Sequence, residues 1–243
     1  VAPALGARED LVALVTGTGN AVGAAVGRLL ASAGVDTWFA DRDAAAAQRA
    51  AGAQVGARAI AFDPVDESQW AYVSEQLTKQ SGGLDLLVNA AQAFRFDDVE
   101  CLSPDRFMDL FNRNGTASWL GMKYGIPLLR ARGGGRIVNV TSVLARTAAA
   151  GCSATCAAAR GILMATKSAA LECARERDGI LVNAVLAGRM DDDPEHFPDG
   201  RVLPNAVPVA AQDVAAAVVF LLTEESGYVT GLELPVDAGF LAA

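Results

Sequence analysis

The chain has 243 residues, 52% of them hydrophobic, and carries 20 Lys and Arg against 28 Asp and Glu, a net charge of −8. That length fits one α/β domain with a large core, while the acidic balance and the lack of a basic stripe exclude nucleic acid and anionic membrane surfaces as partners. No apolar run reaches the roughly 18 residues that cross a bilayer, and no basic-then-apolar export signal opens the chain, so a cytoplasmic protein is expected.

Residues 11–16 form a short apolar run bounded by turn residues, which predicts a buried strand. A glycine turn follows, then a helix over 22–33. Strand 37–40 leads to helix 44–51, strand 57–62 to helix 68–80, and strand 84–89 to one long helix over 107–130. Strand 136–142 precedes a second long helix over 155–177. Strand 180–185, helix 211–222 and strand 233–236 complete the pattern. Continuous apolar strands alternating with helices predict a parallel sheet covered on both faces. Residues 187–208 are rich in Asp, Pro and Gly, and an irregular segment of that length is expected to lie over a pocket.

The four cysteines, Cys101, Cys152, Cys156 and Cys173, lack metal-ligand spacing, and His196 is the only histidine. No metal site is expected, and a reducing compartment fits. After the first strand comes Thr16-Gly17-Thr18-Gly19-Asn20-Ala21-Val22-Gly23. Glycines in such a turn let the backbone approach a pyrophosphate lying on a helix N-terminus. Asp41 closes the second strand, where a carboxylate accepts from a ribose 2′-hydroxyl and repels a 2′-phosphate, favouring NAD over NADP. Asp63, after the third strand, is placed to meet an adenine. Both aspartates could equally be helix caps or solvated loop carboxylates.

Several segments together resemble the short-chain dehydrogenase/reductase superfamily over essentially the whole length. They are Val15-Thr16-Gly17 with Gly23, Asp63, Leu87-Val88-Asn89-Ala90-Ala91, Asn114 before Gly115, the run from Ile137 to Ser142, Val182-Asn183-Ala184-Val185, Tyr228-Val229-Thr230-Gly231 and Val236-Asp237. The resemblance implies a single α/β domain over 1–243, a Rossmann-type doubly wound parallel sheet of about seven strands. It implies cofactor contacts at Gly17, Gly23, Asp41, Asp63 and Asn89. It also implies a homo-oligomer, dimer or tetramer, built on the two long helices, or a mixed assembly with an intact paralogue of the superfamily.

In that family a tyrosine hydroxyl moves the proton as hydride passes to or from nicotinamide. A lysine four residues on lowers the tyrosine pKa, a serine polarises the carbonyl, and an asparagine completes a relay. Transferred by position, the asparagine is Asn114 and the serine Ser142, but the tyrosine position holds Thr155 and the lysine position Ala159. An aliphatic hydroxyl has a far higher pKa than a phenol, and general acid–base work needs a pKa near the working pH. Shifting the register by one residue pairs Cys156 with Arg160, which supplies no phenol. Other departures follow: Ala21 in the glycine turn, Ala90 and Gln92 after strand four, Ala187 before Gly188, and Asp192 in the loop.

The adenosine side therefore keeps the family pattern while the nicotinamide side is altered. NAD is the cofactor the resemblance implies, and the altered side speaks against its use. Three readings stand open. The first is a pseudo-dehydrogenase or partner subunit. The second is a repurposed enzyme performing cyclisation, elimination or isomerisation on a small molecule. There Ser142, Asn114 and Thr155 would orient an oxygen, and Asp191, Asp192, Asp193 and His196 would act as acid or base unless they are a solvated loop. The third is an atypical NAD-dependent oxidoreductase or ketoreductase. The acidic loop argues against an anionic substrate.

Overall fold

Five residues without a polar face to give to water, Val12–Thr16, make the buried strand β1 at the middle of the sheet. The computed structural model of the chain describes residues 10–190 and 208–242. β2 (Asp36–Asp41) and β3 (Ala57–Ala61) lie on one side of β1. β4 (Leu86–Asn89), β5 (Gly135–Ser142), β6 (Ile180–Ala187) and β7 (Glu233–Val236) lie on the other. The seven strands are ordered β3-β2-β1-β4-β5-β6-β7, and every neighbouring pair is parallel. The helices are α1 (Ala21–Ser32), α2 (Ala44–Ala51), α3 (Glu67–Ser81), α4 (Pro104–Phe111), α5 (Ala117–Ala131), α6 (Ser153–Glu176) and α7 (Ala211–Leu222).

Consecutive strand residues point to opposite faces. Leu14, Leu87 and Ile137 enter a core with Trp70 of α3, Leu129 of α5 and Ile162 of α6. Val15, Val88 and Val138, one residue on, enter a second core with Val26 and Leu30 of α1 and Val218 of α7. This double burial is why the strands read as unbroken apolar runs, and it gives the doubly wound single domain the resemblance implied. The edges behave differently. In β3 only Ile60 is buried. β7 contains Pro235, tolerated because an edge strand has a side that needs no ladder donor.

Two boundaries differ from the sequence reading in ways that matter. β6 runs two residues past the expected end, because Ala187 pairs with both Ser142 of β5 and Val236 of β7. The long helix expected over 107–130 begins at Pro104, where the Ser103 hydroxyl accepts from the Arg106 N–H at 3.3 Å. It then widens into a π turn over Asn112–Thr116 before continuing as α5. Such a turn inserts one residue into the α register, which hydrophobic periodicity does not reveal.

Strand order reverses between β1 and β4. In open parallel sheets that point leaves a crevice beyond the strand C-termini. Both the glycine turn after β1 and the segment after β4 open onto it.

Candidate functional site

The crevice has two halves. In the first, Gly17 has φ 72°, and a Cβ there would lie 2.5 Å from the Ala91 backbone, so only glycine fits. A Cβ at Gly23 would lie 2.4 Å from the Gly17 carbonyl oxygen. Asn20 caps α1 by accepting from the Gly23 N–H at 2.8 Å and donates to the Ala90 carbonyl at 2.7 Å, which ties the turn to the end of β4. The Gly19 N–H donates to Asp41 Oδ2 at 2.8 Å, and the Asp43 N–H to Asp41 Oδ1 at 3.0 Å. Asp63 Oδ1 accepts from the Val65 N–H at 3.1 Å. Both aspartates thus brace their own turns, and both also line a groove of about 500 Å³ shared with Gly17, Gly19 and Gln92.

Asn89 is placed elsewhere. It is 1% exposed and donates to Asn139 Oδ1 at 2.8 Å and to the Ser118 carbonyl at 3.3 Å. Asn139 in turn donates to Thr166 Oγ1 at 2.9 Å. Gly121 permits the approach of α5, since a Cβ there would meet Asn89 Oδ1 at 2.1 Å. The Asn89 side chain is a polar strut joining β4, β5, α5 and α6 and is absent from the groove wall.

The second half brings Ser142, Asn114 and Thr155 together around a cavity of about 90 Å³, with Phe94, Phe96 and Arg189 also in its wall. Ser142 ends β5, and its hydroxyl accepts from the Leu144 N–H at 3.2 Å. Asn114 sits in the π turn. Its Oδ1 accepts from the Ala93 N–H and its Nδ2 donates to the Ala93 carbonyl, both at 2.7 Å. Thr155 lies in the first turn of α6, 4% exposed, and its hydroxyl has no partner among the described residues. Thr166, farther along α6, is satisfied by donating to the Ile162 carbonyl at 2.7 Å.

Ala159 is 1% exposed and packs with Val143, Leu163 and Leu186, and Phe240 and Leu241 close over this cluster. Asp237 holds those two in place by accepting from the Gly239 and Leu241 N–H groups at 2.9 and 3.0 Å. Arg160 is exposed and reaches the Ala145 carbonyl at 3.4 Å, so the shifted register brings no cation into the cavity. Arg189 is the one ionisable side chain among the described lining residues, and a guanidinium does not exchange its proton near neutrality.

Of the loop expected over 187–208, residues 191–207 lie outside the described residues, and with them Asp191, Asp192, Asp193 and His196. Its base is described. Met190 bridges to Val209, whose N–H donates to the Arg189 carbonyl at 2.8 Å, so the segment leaves and returns beside the cavity. A Cβ at Gly188 would lie 2.8 Å from Asp237 Cα, which accounts for glycine there.

Sequence reasoning reached Ala90 and Gln92 after β4 but passed over the aromatics of the segment that follows. Its Phe94 and Phe96 rings meet edge to face at 4.8 Å and form one wall of the cavity. Two aromatics in a polar loop just past a strand end at the reversal point were the available signal. Among the described residues no helix is long and apolar enough to cross a membrane, and no cluster of His, Cys, Asp and Glu could hold a metal ion. Burial pushes the Cys173 thiol up to about 11.

Residues 17–241 match the family described as Enoyl-(Acyl carrier protein) reductase. An uncharacterized oxidoreductase of Bacillus subtilis is 32% identical over 95% of this chain and 98% of its own length. One of Escherichia coli is 31% identical over 96% of each. The 2,5-dichloro-2,5-cyclohexadiene-1,4-diol dehydrogenase of Sphingobium indicum is 30% identical over 94% of this chain and 95% of its own. With the seven parallel strands and the glycine turn at their reversal point, these similarities show that the chain belongs to the short-chain dehydrogenase/reductase superfamily, a lineage of oxidoreductases.

Proposed function

We propose that this chain is a pseudo-dehydrogenase, a superfamily member that binds a small molecule in the inherited cleft, transfers no hydride, and works as a subunit of an oligomer. The observation that carries the reading is the setting of Ala159. The position that would hold the ammonium group is a methyl that packs in an apolar cluster and lines the cavity shared with Ser142, Asn114 and Thr155, so no cation is offered there. Beside it, the Thr155 hydroxyl can donate or accept a hydrogen bond, and an aliphatic hydroxyl is a far weaker acid than a phenol.

The residues fit the adenosine half of NAD. Gly17 and Gly23 allow close backbone approach, and Asp41 and Asp63 line an open groove. They do not fit the reacting half. A bound adenosine group would then be a structural ligand, with Asp41 both bracing the glycine turn and accepting from a ribose. For the assembly, α6 exposes Ala157, Gly161, Met164, Ser168 and Leu171 along one stripe, and α5 exposes Trp119 next to it in the order of the chain's long helices. That face supports a homo-oligomer, dimer or tetramer, or pairing with an intact paralogue.

One observation favours a second reading, a repurposed non-redox enzyme: the Thr155 hydroxyl, without a partner among the described residues, shares its cavity with Ser142 and Asn114, an arrangement that could orient a substrate oxygen.

The test is direct. Purified protein is mixed with NADH or NADPH and a panel of ketones, aldehydes and enones. No protein-dependent loss of reduced nicotinamide is expected, and loss that requires both protein and carbonyl compound would overturn the proposal. Calorimetry should detect adenosine diphosphate ribose. Light scattering should report a dimer or tetramer, and a monomer would remove the subunit role.

A further inference from the structure

The groove beyond Phe94 adjoins the adenosine groove, with which it shares Arg42, Asp109 and Arg113, and adds Arg95 and Arg106 that the cleft chemistry does not use. Arg42, Arg95, Arg106 and Arg113 line it, together with Asp109, around a volume of about 440 Å³. They converge from separate segments. Arg42 follows β2, Arg95 lies in the stretch after β4, Arg106 is on α4 and Arg113 is in the π turn. Arg106 pairs with Asp97 at 3.3 Å and Arg113 with Asp109 at 2.9 Å. Arg42 and Arg95 have no partner among the described residues. Four guanidinium groups against two carboxylates leave a positive groove on a chain whose net charge is −8. Each guanidinium presents a planar fork of donors that matches a carboxylate or phosphate, and like charges gathered this closely are relieved by an anion.

The groove is joined to the cavity. Ala93 and Phe94 belong to the walls of both. The two 2.7 Å bonds from Asn114 clamp Ala93 against the π turn, so the segment carrying Arg95 and the turn carrying Arg113 are held together by the residue between groove and cavity. At the far side the Thr155 hydroxyl, nine-tenths buried, has no partner among the described residues. A buried hydroxyl left unpaired costs about 1–3 kcal/mol, which a ligand oxygen would recover. The cavity, at about 90 Å³, holds on the order of three waters at the roughly 30 Å³ each takes in the liquid, so what enters is short.

We propose that the cleft binds a small amphipathic anion. Its carboxylate or phosphate monoester sits among Arg42, Arg95, Arg106 and Arg113, and a short alkyl chain or small ring passes Phe94 to place an oxygen at Thr155. This reverses the expectation drawn from the acidic loop that an anionic ligand is disfavoured. It rests on reading the cavity as a small-molecule pocket and is separate from whether hydride moves.

The experiment is calorimetric titration of the full chain with hexyl phosphate, hexanoate, hexanol and inorganic phosphate, at low and high salt. Hexyl phosphate or hexanoate should bind about tenfold or more tighter than hexanol, because charge-assisted bonds are lost with the head group. Either should also bind tighter than inorganic phosphate, which lacks the apolar part. The paired exposed substitutions Arg95→Gln and Arg106→Gln, checked for unchanged thermal unfolding, should bring hexyl phosphate to the level of hexanol. Equal binding of hexanol, or no effect of the arginine pair, overturns the anion site. Inorganic phosphate binding as tightly as hexyl phosphate overturns the link to the cavity. Should NADPH displace hexyl phosphate and lose the same affinity in the arginine pair, the groove is part of a nucleotide site and the proposal fails. Running the nicotinamide assay on the same sample separates the two ideas: anion binding can fail with no hydride transfer seen, and hydride transfer can appear with anion binding intact.

Discussion

The two halves of the crevice hold themselves together with different kinds of bond. On the adenosine side the backbone does most of it. Gly17 and Gly23 permit contacts that any Cβ would block, Gly19 donates to Asp41, and Asn20 links the turn to Ala90. Every one of these groups is satisfied within the protein. On the reacting side the wall is made of side chains, and the fit is looser. The Thr155 hydroxyl is left without a partner among the described residues, and Ala159 is a methyl within an apolar cluster. A half built from backbone geometry cannot change residue without loss of fold. A half built from side chains can exchange them while the sheet stands, and that is the half that holds Thr155 and Ala159.

Several measurements would break or sharpen that contrast. The largest effect is expected from Ala159→Lys. An ammonium there lies between Val143, Leu163 and Leu186 and a cavity with no carboxylate among its described lining residues, and a buried charge without a counter-ion costs on the order of 3–5 kcal/mol. Urea unfolding should show that loss, and the double variant Thr155→Tyr with Ala159→Lys should gain no reductase activity. Unchanged stability together with new activity would mean the reacting half is still open. On the other half, Gly17→Ala is expected to cost about 1–3 kcal/mol from its backbone conformation, with further cost from a Cβ placed 2.5 Å from Ala91. A midpoint within error of the parent would show that the turn can rearrange.

Asn114→Ala cuts both bonds to Ala93 at the boundary between cavity and arginine groove. A loss of about 1–3 kcal/mol is expected, with faster amide exchange confined to residues 92–96. Exchange that rises throughout would show a global role instead. Asp41→Ala should cost about 1 kcal/mol, because it frees the Gly19 N–H at a solvent-facing position. If Asp41 serves a ribose as well as the turn, the same variant also weakens adenosine diphosphate ribose.

The smallest effect lies outside both halves. Glu67 of α3 accepts hydrogen bonds from Lys123 and Tyr124 of α5, and these hold its carboxyl below the usual range. A lowered pKa means the stabilisation is present above the ordinary carboxylate value and is lost as pH falls through the depressed one. Glu67→Gln should therefore flatten the acid limb of the stability curve slightly and leave both halves of the cleft unchanged.

How much was legible in the residues varied with the kind of contact. The strands were readable because burial on both faces leaves no polar alternation, as in Val12–Thr16. The helix starts were less so: Asp66, whose carboxylate accepts from the Ser68 N–H, caps α3, and Ser103 caps α4, which begins three residues before the expected start. The glycine turn, Asp41 and the threonine and alanine at positions 155 and 159 could be placed by register alone. Asn89 is a cofactor contact by its motif, and only packing shows that its Nδ2 also donates to Asn139, fifty residues away. The π turn was missed because one inserted residue does not disturb an apolar pattern enough to be seen.

What the amino-acid sequence by itself determined is the order of elements, the parallel sheet, the glycine turn and the identities at Thr155 and Ala159. These depend on composition, period and neighbours within a few positions. What only the tertiary structure decided is which groups meet across long stretches of chain. Phe240 packs against the cluster that holds Ala159, Ala93 is clamped by Asn114, four arginines from separate segments share one groove, and the Thr155 hydroxyl finds no partner among the described residues. The physical reason is that a hydrogen bond or a charge cluster is a property of distance in space, and only packing brings residues this far apart in the chain to within reach of one another.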